Sequence, residues 1–149
     1  YLVSKKLNLE FIDVDNEIEN KMGMKVFDIF IKKGEIFFRN LEKKITLKIL
    51  KTNNRVISLG GGAFINDEIR KEILSNHLSF WLNWDPDILI KRIKDSKKRP
   101  LAFNSSDQEI RNLIKKRFII YSKAKFKINC NNLTKNEIVK KIIKIYELN

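Results

Sequence analysis

Two sets of residues have the types and the spacing to act on a charged ligand. Asp13 and Asp15 stand two residues apart at the end of the segment EFID, and glycines 60–62 follow the apolar run VISL. Alternation along an extended segment would place both carboxylates on one side. There they suit a hard cation such as Mg²⁺ or a substrate hydroxyl, although Asp15 could instead serve only as the cap of the next helix.

The three glycines predict a close approach of the backbone to a ligand. One glycine would serve for a tight turn from a strand into a helix, and glycine is costly to order. The run of Gly60, Gly61 and Gly62 therefore favours bare backbone beside a ligand, with a simple tight turn as the alternative.

Three arginines stand out in a chain whose basic residues are mostly lysine: Arg39, Arg99 and Arg117. Arginine binds carboxylate or phosphate through two parallel hydrogen bonds, which lysine cannot do. Arg99 lies in a polar, basic loop at about 96–106 that could close over a ligand as a lid. For each arginine taken alone, a solvated surface position is the alternative.

Short apolar strands alternate with helices along the chain, which predicts a parallel α/β sheet. Strands are predicted at 10–13, 56–59, 78–82 and 126–129. Helices are predicted from Asp15 to Gly23, over 26–34, 35–51, 67–74, 86–94 and 106–121, and after Thr134. Ligands of such sheets bind beyond the carboxyl ends of the strands, which is where the glycines lie.

Size and composition indicate one globular domain over residues 1–149. Hydrophobic residues make up 43% and charged residues 33%, which excludes a disordered chain. No apolar run approaches about 18 residues, so no membrane span is expected. The single cysteine, Cys130, excludes an internal disulfide and fits a reducing, cytoplasmic compartment. We assign neither Cys130 nor the single histidine, His77, a chemical role.

The net charge of +13 makes nucleic-acid binding a rival function. However, the excess is mostly lysine spread over the whole length, and no RRM, KH, zinc-finger or basic-zipper signature occurs. A solvated lysine-rich surface explains this charge, and an anionic substrate is compatible with it. We therefore expect no nucleic-acid partner.

Several segments, taken in order, resemble the shikimate kinase family over essentially the whole chain. They are LNLEFIDVDNEIE, VFDIF, GEIFFRNLE, VISLGGG, KKRPL and KRFIIY. The resemblance implies a parallel-sheet P-loop kinase fold of three layers, like that of nucleoside monophosphate kinases. It also implies transfer of the γ-phosphate of ATP to the 3-hydroxyl of shikimate, in the pathway to chorismate and the aromatic amino acids.

The resemblance also implies roles on the acceptor side of this reaction. Asp15 would orient and polarise the accepting hydroxyl, and Asp13 would act near Mg²⁺ through water. Arg39 and Arg117 would bind the shikimate carboxylate. The glycines 60–62 would offer backbone to shikimate and to the phosphate region.

Three further residues receive roles from the same resemblance. Arg99, in the lid, would neutralise charge on the transferring phosphoryl group, and Arg92 would lie against adenine. Glu42 would orient Arg39. The expected ligands are shikimate and ATP with Mg²⁺, and the expected protein is a cytoplasmic monomer with no membrane partner.

The family's phosphate-binding motif, G-x-x-x-x-G-K-[ST], does not occur in this sequence. By the resemblance, residues 1–10 match the later part of the family's first helix, so we expect the motif and the first strand to precede Tyr1. That strand is central in the family's five-stranded sheet, of order two-three-one-four-five. Without it we expect two half-sheets with unpaired inner edges, and a 149-residue chain that alone folds poorly and lacks kinase activity.

Two other functions are kept as alternatives. One is a related kinase of small metabolites, such as a gluconate kinase, although paired arginines and the two aspartates favour shikimate. The other is a catalytically incomplete kinase-like module that binds shikimate or a nucleic acid through its basic surface.

Overall fold

The computed structural model describes residues 1–94 and 105–149, and within them short strands alternate with helices. The strands are β1 (Glu10–Asp13), β2 (Arg55–Ser58), β3 (Phe80–Asn83) and β4 (Phe126–Asn129). The helices are α1 (Leu2–Leu7), α2 (Val14–Met22), α3 (Val26–Leu50), α4 (Asp67–Asn76), α5 (Pro86–Lys94), α6 (Asp107–Tyr121) and α7 (Lys135–Glu147), and a 3₁₀ turn spans Ala63–Ile65. The predicted α/β class is confirmed.

The described strands form two parallel pairs. β1 pairs with β2, with Asp13 opposite Ser58 at the carboxyl end, and β3 pairs with β4, with Asn83 opposite Asn129. Within the described residues, β2 and β3 have no second neighbour. These pairs are the two half-sheets that the family resemblance predicts.

The start of α2 differs from the prediction, because its cap is Asp13 and not Asp15. Asp13 Oδ1 accepts hydrogen bonds from the backbone N–H groups of Asp15 (3.0 Å) and Asn16 (3.2 Å), which a helix start would otherwise leave unpaired. The hypothesis that Asp15 only caps this helix is therefore wrong. The alternation argument also fails, because the chain is already helical at Val14. Gly23 ends α2 in a left-handed conformation, as predicted.

Helix α3 is bent at a glycine. The two helical segments predicted on either side of Gly34 form one run that is interrupted there, where φ is 82° and ψ is 166°. This region of backbone space is open essentially only to glycine. Ile29 before the break and Phe38 after it are buried in the same cluster, so the bend keeps both halves of α3 against one core.

Both predicted capping boxes are confirmed. At the start of α6, Ser106 and Glu109 exchange hydrogen bonds between side chain and backbone, and Thr134 and Glu137 do the same at the start of α7. Each box pairs two N–H groups at a helix start. The starts of α6 and α7 are therefore determined by residues that are close together in the sequence.

Two strands differ from the prediction at both ends. β2 spans Arg55–Ser58 where 56–59 was predicted, so that Leu59 belongs to the turn after it, and β3 spans Phe80–Asn83 where 78–82 was predicted. The cause is register, since β1 and β4 each offer only four residues for pairing.

Buried aliphatic side chains hold the helices on the strands. One cluster lies between α2, α3 and β1, and a second surrounds the 3₁₀ turn after β2. Cys130 is fully buried in a third cluster, as expected for a thiol without a chemical role. None of the described helices is long and apolar enough to cross a membrane. Of the predicted lid, Arg99 and the other residues up to 104 lie outside the described residues.

We predict that a side chain at the bend in α3 destabilises the protein through backbone strain. In the full-length protein, Gly34→Asn should lower the free energy of unfolding by about 1 to 3 kcal/mol, because asparagine cannot adopt the Gly34 backbone conformation without strain. Urea denaturation followed by circular dichroism measures this change.

The matched control is Gly23→Asn. Gly23 has a left-handed conformation that asparagine tolerates, and at neither glycine would a Cβ meet another atom within 4 Å. A change within about 0.5 kcal/mol is expected for this control. Equal destabilisation by the two substitutions would contradict the account of the bend.

Candidate active site

Asp15 lies half-buried in the first turn of α2, beside the carboxyl end of β1. The pKa of its carboxyl is raised to about 6, chiefly by burial. Neighbouring negative charges add to this effect, in the order Asp13, Glu42 and Glu19, and the Arg39 guanidinium acts in the opposite direction. A carboxyl with this pKa is mostly ionised at neutral pH, yet it is a stronger base than an ordinary aspartate.

Arg39 is held in place on the part of α3 beyond the bend. Its Nη1 donates a hydrogen bond of 2.6 Å to Oε2 of Glu42, whose carboxylate is almost fully buried. Its Nε lies 3.4 Å from Oε1 of Glu35, and its guanidinium lies 5.6 Å and 5.2 Å from the ring centroids of Phe30 and Phe38. The Glu42 contact leaves other guanidinium N–H groups able to reach an anion.

The turn after β2 packs directly against these two side chains. A Cβ built on Gly60 would lie 2.5 Å from Asp15 Oδ1, and a Cβ built on Gly62 would lie 2.7 Å from Cζ of Arg39. Both distances are shorter than real side chains allow. Neither glycine has a positive φ, so a side chain at either position would not strain the backbone but would displace the Asp15 carboxylate or the Arg39 guanidinium.

The middle glycine of the turn faces α6. A Cβ on Gly61 would lie 3.4 Å from Nη1 of Arg117, which is an ordinary contact, and the carbonyl of Gly61 accepts a hydrogen bond from the Tyr121 hydroxyl. Arg117 is half-buried and stands one helical turn before Tyr121, so both side chains come from the same face of α6.

The structure therefore brings together four of the predicted elements: Asp15, Arg39, Arg117 and residues 60–62, here named the glycine turn. Asp15, Arg39 and Arg117 come from three helices that are distant in sequence. All three lie around the glycine turn, which follows β2 at the carboxyl edge of β1 and β2. A carboxylate base beside two guanidinium groups can bind an anion that carries a hydroxyl group.

Arg92 lies at a different place, near the carboxyl end of β3. Its Cζ is 3.9 Å from the ring centroid of Trp84, the residue directly after β3. At that distance the guanidinium and the indole attract each other, which orients the plane of the arginine.

Two residues near the site were not predicted. The Tyr121 hydroxyl was missed because its partner, Gly61, lies 60 residues away in sequence, although the one-turn spacing from Arg117 is a signal that could have indicated it. Glu19 was missed as well, and it accepts hydrogen bonds from the Val26 backbone (3.0 Å) and the Lys25 side chain (2.7 Å) at the junction of α2 and α3.

The described residues contain no group of three or more acidic, histidine or cysteine side chains that could enclose a metal ion. Asp13 uses Oδ1 to cap α2, which leaves its other carboxylate oxygen for further contacts. This donor set fits Mg²⁺ that keeps most of its water and is carried by substrate phosphates, which is how proteins commonly hold this ion.

We predict that Asp15 costs the folded protein stability when it is ionised. Because its pKa is raised on folding, its contribution is most favourable below about pH 4 and is lost as the pH rises through about 6. Asp15→Asn should therefore raise the free energy of unfolding of the full-length protein at pH 8 by about 1 to 2 kcal/mol, after allowance for solvent screening.

Urea denaturation at pH 8 and at pH 4 measures this effect, which should nearly vanish at pH 4. Asp85→Asn is the matched control and should change stability little, because Asp85 caps α5, asparagine caps a helix as well as aspartate does, and Asp85 is not among the charges that raise the pKa of Asp15. If the parent protein were as stable as Asp15→Asn at pH 8, ionised Asp15 would not destabilise the folded protein.

Known proteins to which this chain is similar are shikimate kinases. A family model described as shikimate kinase matches residues 1–147. The shikimate kinase of Thermodesulfovibrio yellowstonii is 37% identical over 147 residues, which are 98% of this chain and 85% of that protein.

Two solved structures have the same fold. The shikimate kinase of Aquifex aeolicus superposes with a TM-score of 0.86 at 38% identity, covering 98% of this chain and 86% of that one. The shikimate kinase of Acinetobacter baumannii, solved in complex with shikimate, superposes with a TM-score of 0.90 at 28% identity, covering 97% and 82%. The comparisons give no support to the gluconate kinase alternative. The chain belongs to the shikimate kinase family, ATP-dependent phosphotransferases that phosphorylate shikimate in aromatic amino acid biosynthesis.

Proposed function

We propose that this chain phosphorylates the 3-hydroxyl of shikimate and that the acceptor binds over the glycine turn. The observation that carries the proposal is that the Asp15 carboxylate and the Arg39 guanidinium occupy the space where a Cβ of Gly60 and of Gly62 would lie. A base and an anion-binding group that share one turn are fixed relative to each other. Phosphoryl transfer depends mostly on such positioning, since the protein performs little covalent chemistry.

Arg39 and Arg117 bind the carboxylate of shikimate in this proposal. Both guanidinium groups lie against the glycine turn, and Glu42 holds Arg39 from the side with a short ion pair. Arginine suits this role because its planar fork matches the two oxygens of a carboxylate. Binding at one end of the small acceptor then determines where its hydroxyl groups lie.

Asp15 orients and polarises the accepting hydroxyl. Its raised pKa of about 6 supports this role, because the carboxylate is ionised at neutral pH and is basic enough to accept a strong hydrogen bond from an alcohol. The proton of the hydroxyl moves towards the Asp15 carboxylate as the hydroxyl oxygen attacks the γ-phosphorus, and the bond from that phosphorus to the bridging oxygen of ATP breaks to release ADP.

Three further residues act on the nucleotide side of the reaction in this proposal. We propose that Arg92 lies against adenine, with its guanidinium plane already oriented by Trp84. Arg99, which lies outside the described residues, neutralises charge on the transferring phosphoryl group. Asp13 would hold Mg²⁺ through water, and the ion would offset the negative charge of the ATP phosphates.

We also propose a single-domain, cytoplasmic monomer that has no nucleic-acid or membrane partner. A biosynthetic enzyme that uses ATP and carries one buried, unpaired cysteine fits a reducing compartment. The excess of lysine is compatible with an anionic substrate and co-substrate, and it gives the protein a well-solvated surface.

Steady-state kinetics of the full-length protein test this proposal. We expect ATP-dependent phosphorylation of shikimate and none of gluconate. Asp15→Asn should lower kcat about 100-fold or more with little change in the KM for ATP. Arg39→Lys should instead raise the KM for shikimate about 10-fold, since lysine keeps the charge but loses the fork.

The opposite acceptor preference would overturn the proposal, and so would full activity of Asp15→Asn. Arg111→Lys is the matched control for the arginine, because Arg111 lies in α6 and pairs with Asp87 (2.7 Å). This control should leave the KM for shikimate unchanged. An inactive parent protein that still binds shikimate would favour the catalytically incomplete module.

A second prediction concerns the three glycines. In the full-length protein, Gly62→Ala should raise the KM for shikimate about 10-fold or more because its methyl group displaces Arg39. Gly60→Ala should lower kcat about 100-fold because its methyl group displaces Asp15. The same kinetic assay measures both changes.

Gly61→Ala is the control within the same turn. Its methyl group would make only an ordinary contact with Arg117, so both kinetic constants should stay within about 3-fold of the parent values. If all three alanine variants behaved alike, the packing of Asp15 and Arg39 on the glycine turn would not be what the reaction requires.

A further inference from the structure

Tyr121 is the last residue of α6 and contacts both halves of the described sheet structure. Its hydroxyl donates a hydrogen bond to the carbonyl of Gly61, in the turn after β2. Its ring centroid lies 6.4 Å from that of Trp81, in β3, and 6.4 Å from that of Phe64, in the 3₁₀ turn. Packing of the ring on Trp81 and Phe64 fixes the position of the Tyr121 hydroxyl, and its hydrogen bond in turn fixes the carbonyl oxygen of Gly61.

The position of Gly61 determines the positions of its two neighbours. Gly60 and Gly62 lie so close to Asp15 and Arg39 that a methyl group on either glycine would displace one of these two side chains. The carbonyls of Gly60 and Gly62 accept hydrogen bonds from the backbone N–H groups of Ala63 (3.3 Å) and Ile65 (3.0 Å), although glycine itself has wide conformational freedom. The middle carbonyl of the turn, that of Gly61, accepts its hydrogen bond from the Tyr121 hydroxyl, which adds a restraint from α6.

We propose that Tyr121 is a positioning residue for shikimate binding, which acts by holding the Gly61 carbonyl. By fixing Gly61, the phenol holds the glycine turn against Asp15 and Arg39 and beside Arg117. One face of α6 thus supplies both a guanidinium that lies against the turn and the hydroxyl that anchors it. This inference rests on the proposed function, since it explains how the proposed acceptor site is kept in shape.

The test is the kinetics of Tyr121→Phe in the full-length protein. Phenylalanine keeps the ring between Trp81 and Phe64 and removes only the hydroxyl. We expect the KM for shikimate to rise about 3- to 10-fold, which is the effect of losing one hydrogen bond. The KM for ATP and the midpoint of thermal unfolding should stay at the parent values.

Tyr146→Phe is the matched control, because Tyr146 is an exposed tyrosine on α7. It should change none of these quantities. Tyr121→Leu provides a second comparison, since it removes the ring as well and should lower the unfolding midpoint in addition to raising the KM for shikimate.

Two results would overturn the inference. One is a KM for shikimate in Tyr121→Phe equal to that of the parent. The other is a loss of thermal stability in Tyr121→Phe with both KM values unchanged, which would show a purely structural role. If Arg39→Lys also left shikimate binding unchanged, the proposed acceptor site itself would be wrong. An effect of Arg39→Lys alone would reject only the role of Tyr121.

Discussion

The candidate site depends on a steric constraint. The turn after β2 carries no side chain at the two positions where the Asp15 carboxylate and the Arg39 guanidinium pack against it. Asp15 and Arg39 come from different helices, and each occupies the space where a Cβ of Gly60 or Gly62 would be. Positive φ values do not explain the run of glycines, since none of the three has one. The turn is instead a shared surface that sets the distance between a base and an anion-binding group.

The same packing has an electrostatic cost. Asp15 is partly buried among Asp13, Glu42 and Glu19, so its ionised form is disfavoured, and Arg39 offsets only part of this effect. A protein selected for stability alone would not place these carboxylates together, but a base needs a pKa near the working pH. The well-packed aliphatic clusters on either side of the turn supply the stability that this arrangement requires.

Local signals in the sequence predicted the elements, and long-range contacts decided what the sequence could not show. The strand at 10–13 and both capping boxes lie where short patterns place them, because alternation and caps are local effects. The cap of α2 was assigned to the wrong aspartate, since Asp13 and Asp15 are equally good caps by type and only the backbone path distinguishes them. The hydrogen bond of the Tyr121 hydroxyl and the contacts of Gly60 and Gly62 join residues that are dozens of positions apart in the sequence. No short sequence pattern predicts contacts of this kind.

The most direct test of the central claim is a crystal structure of the full-length protein with shikimate bound. We expect the acceptor to lie over the glycine turn, with its carboxylate within hydrogen-bond distance of Arg39 and Arg117 and its 3-hydroxyl within hydrogen-bond distance of Asp15. Shikimate bound away from this turn, or bound there with its carboxylate facing neither arginine, would contradict the account.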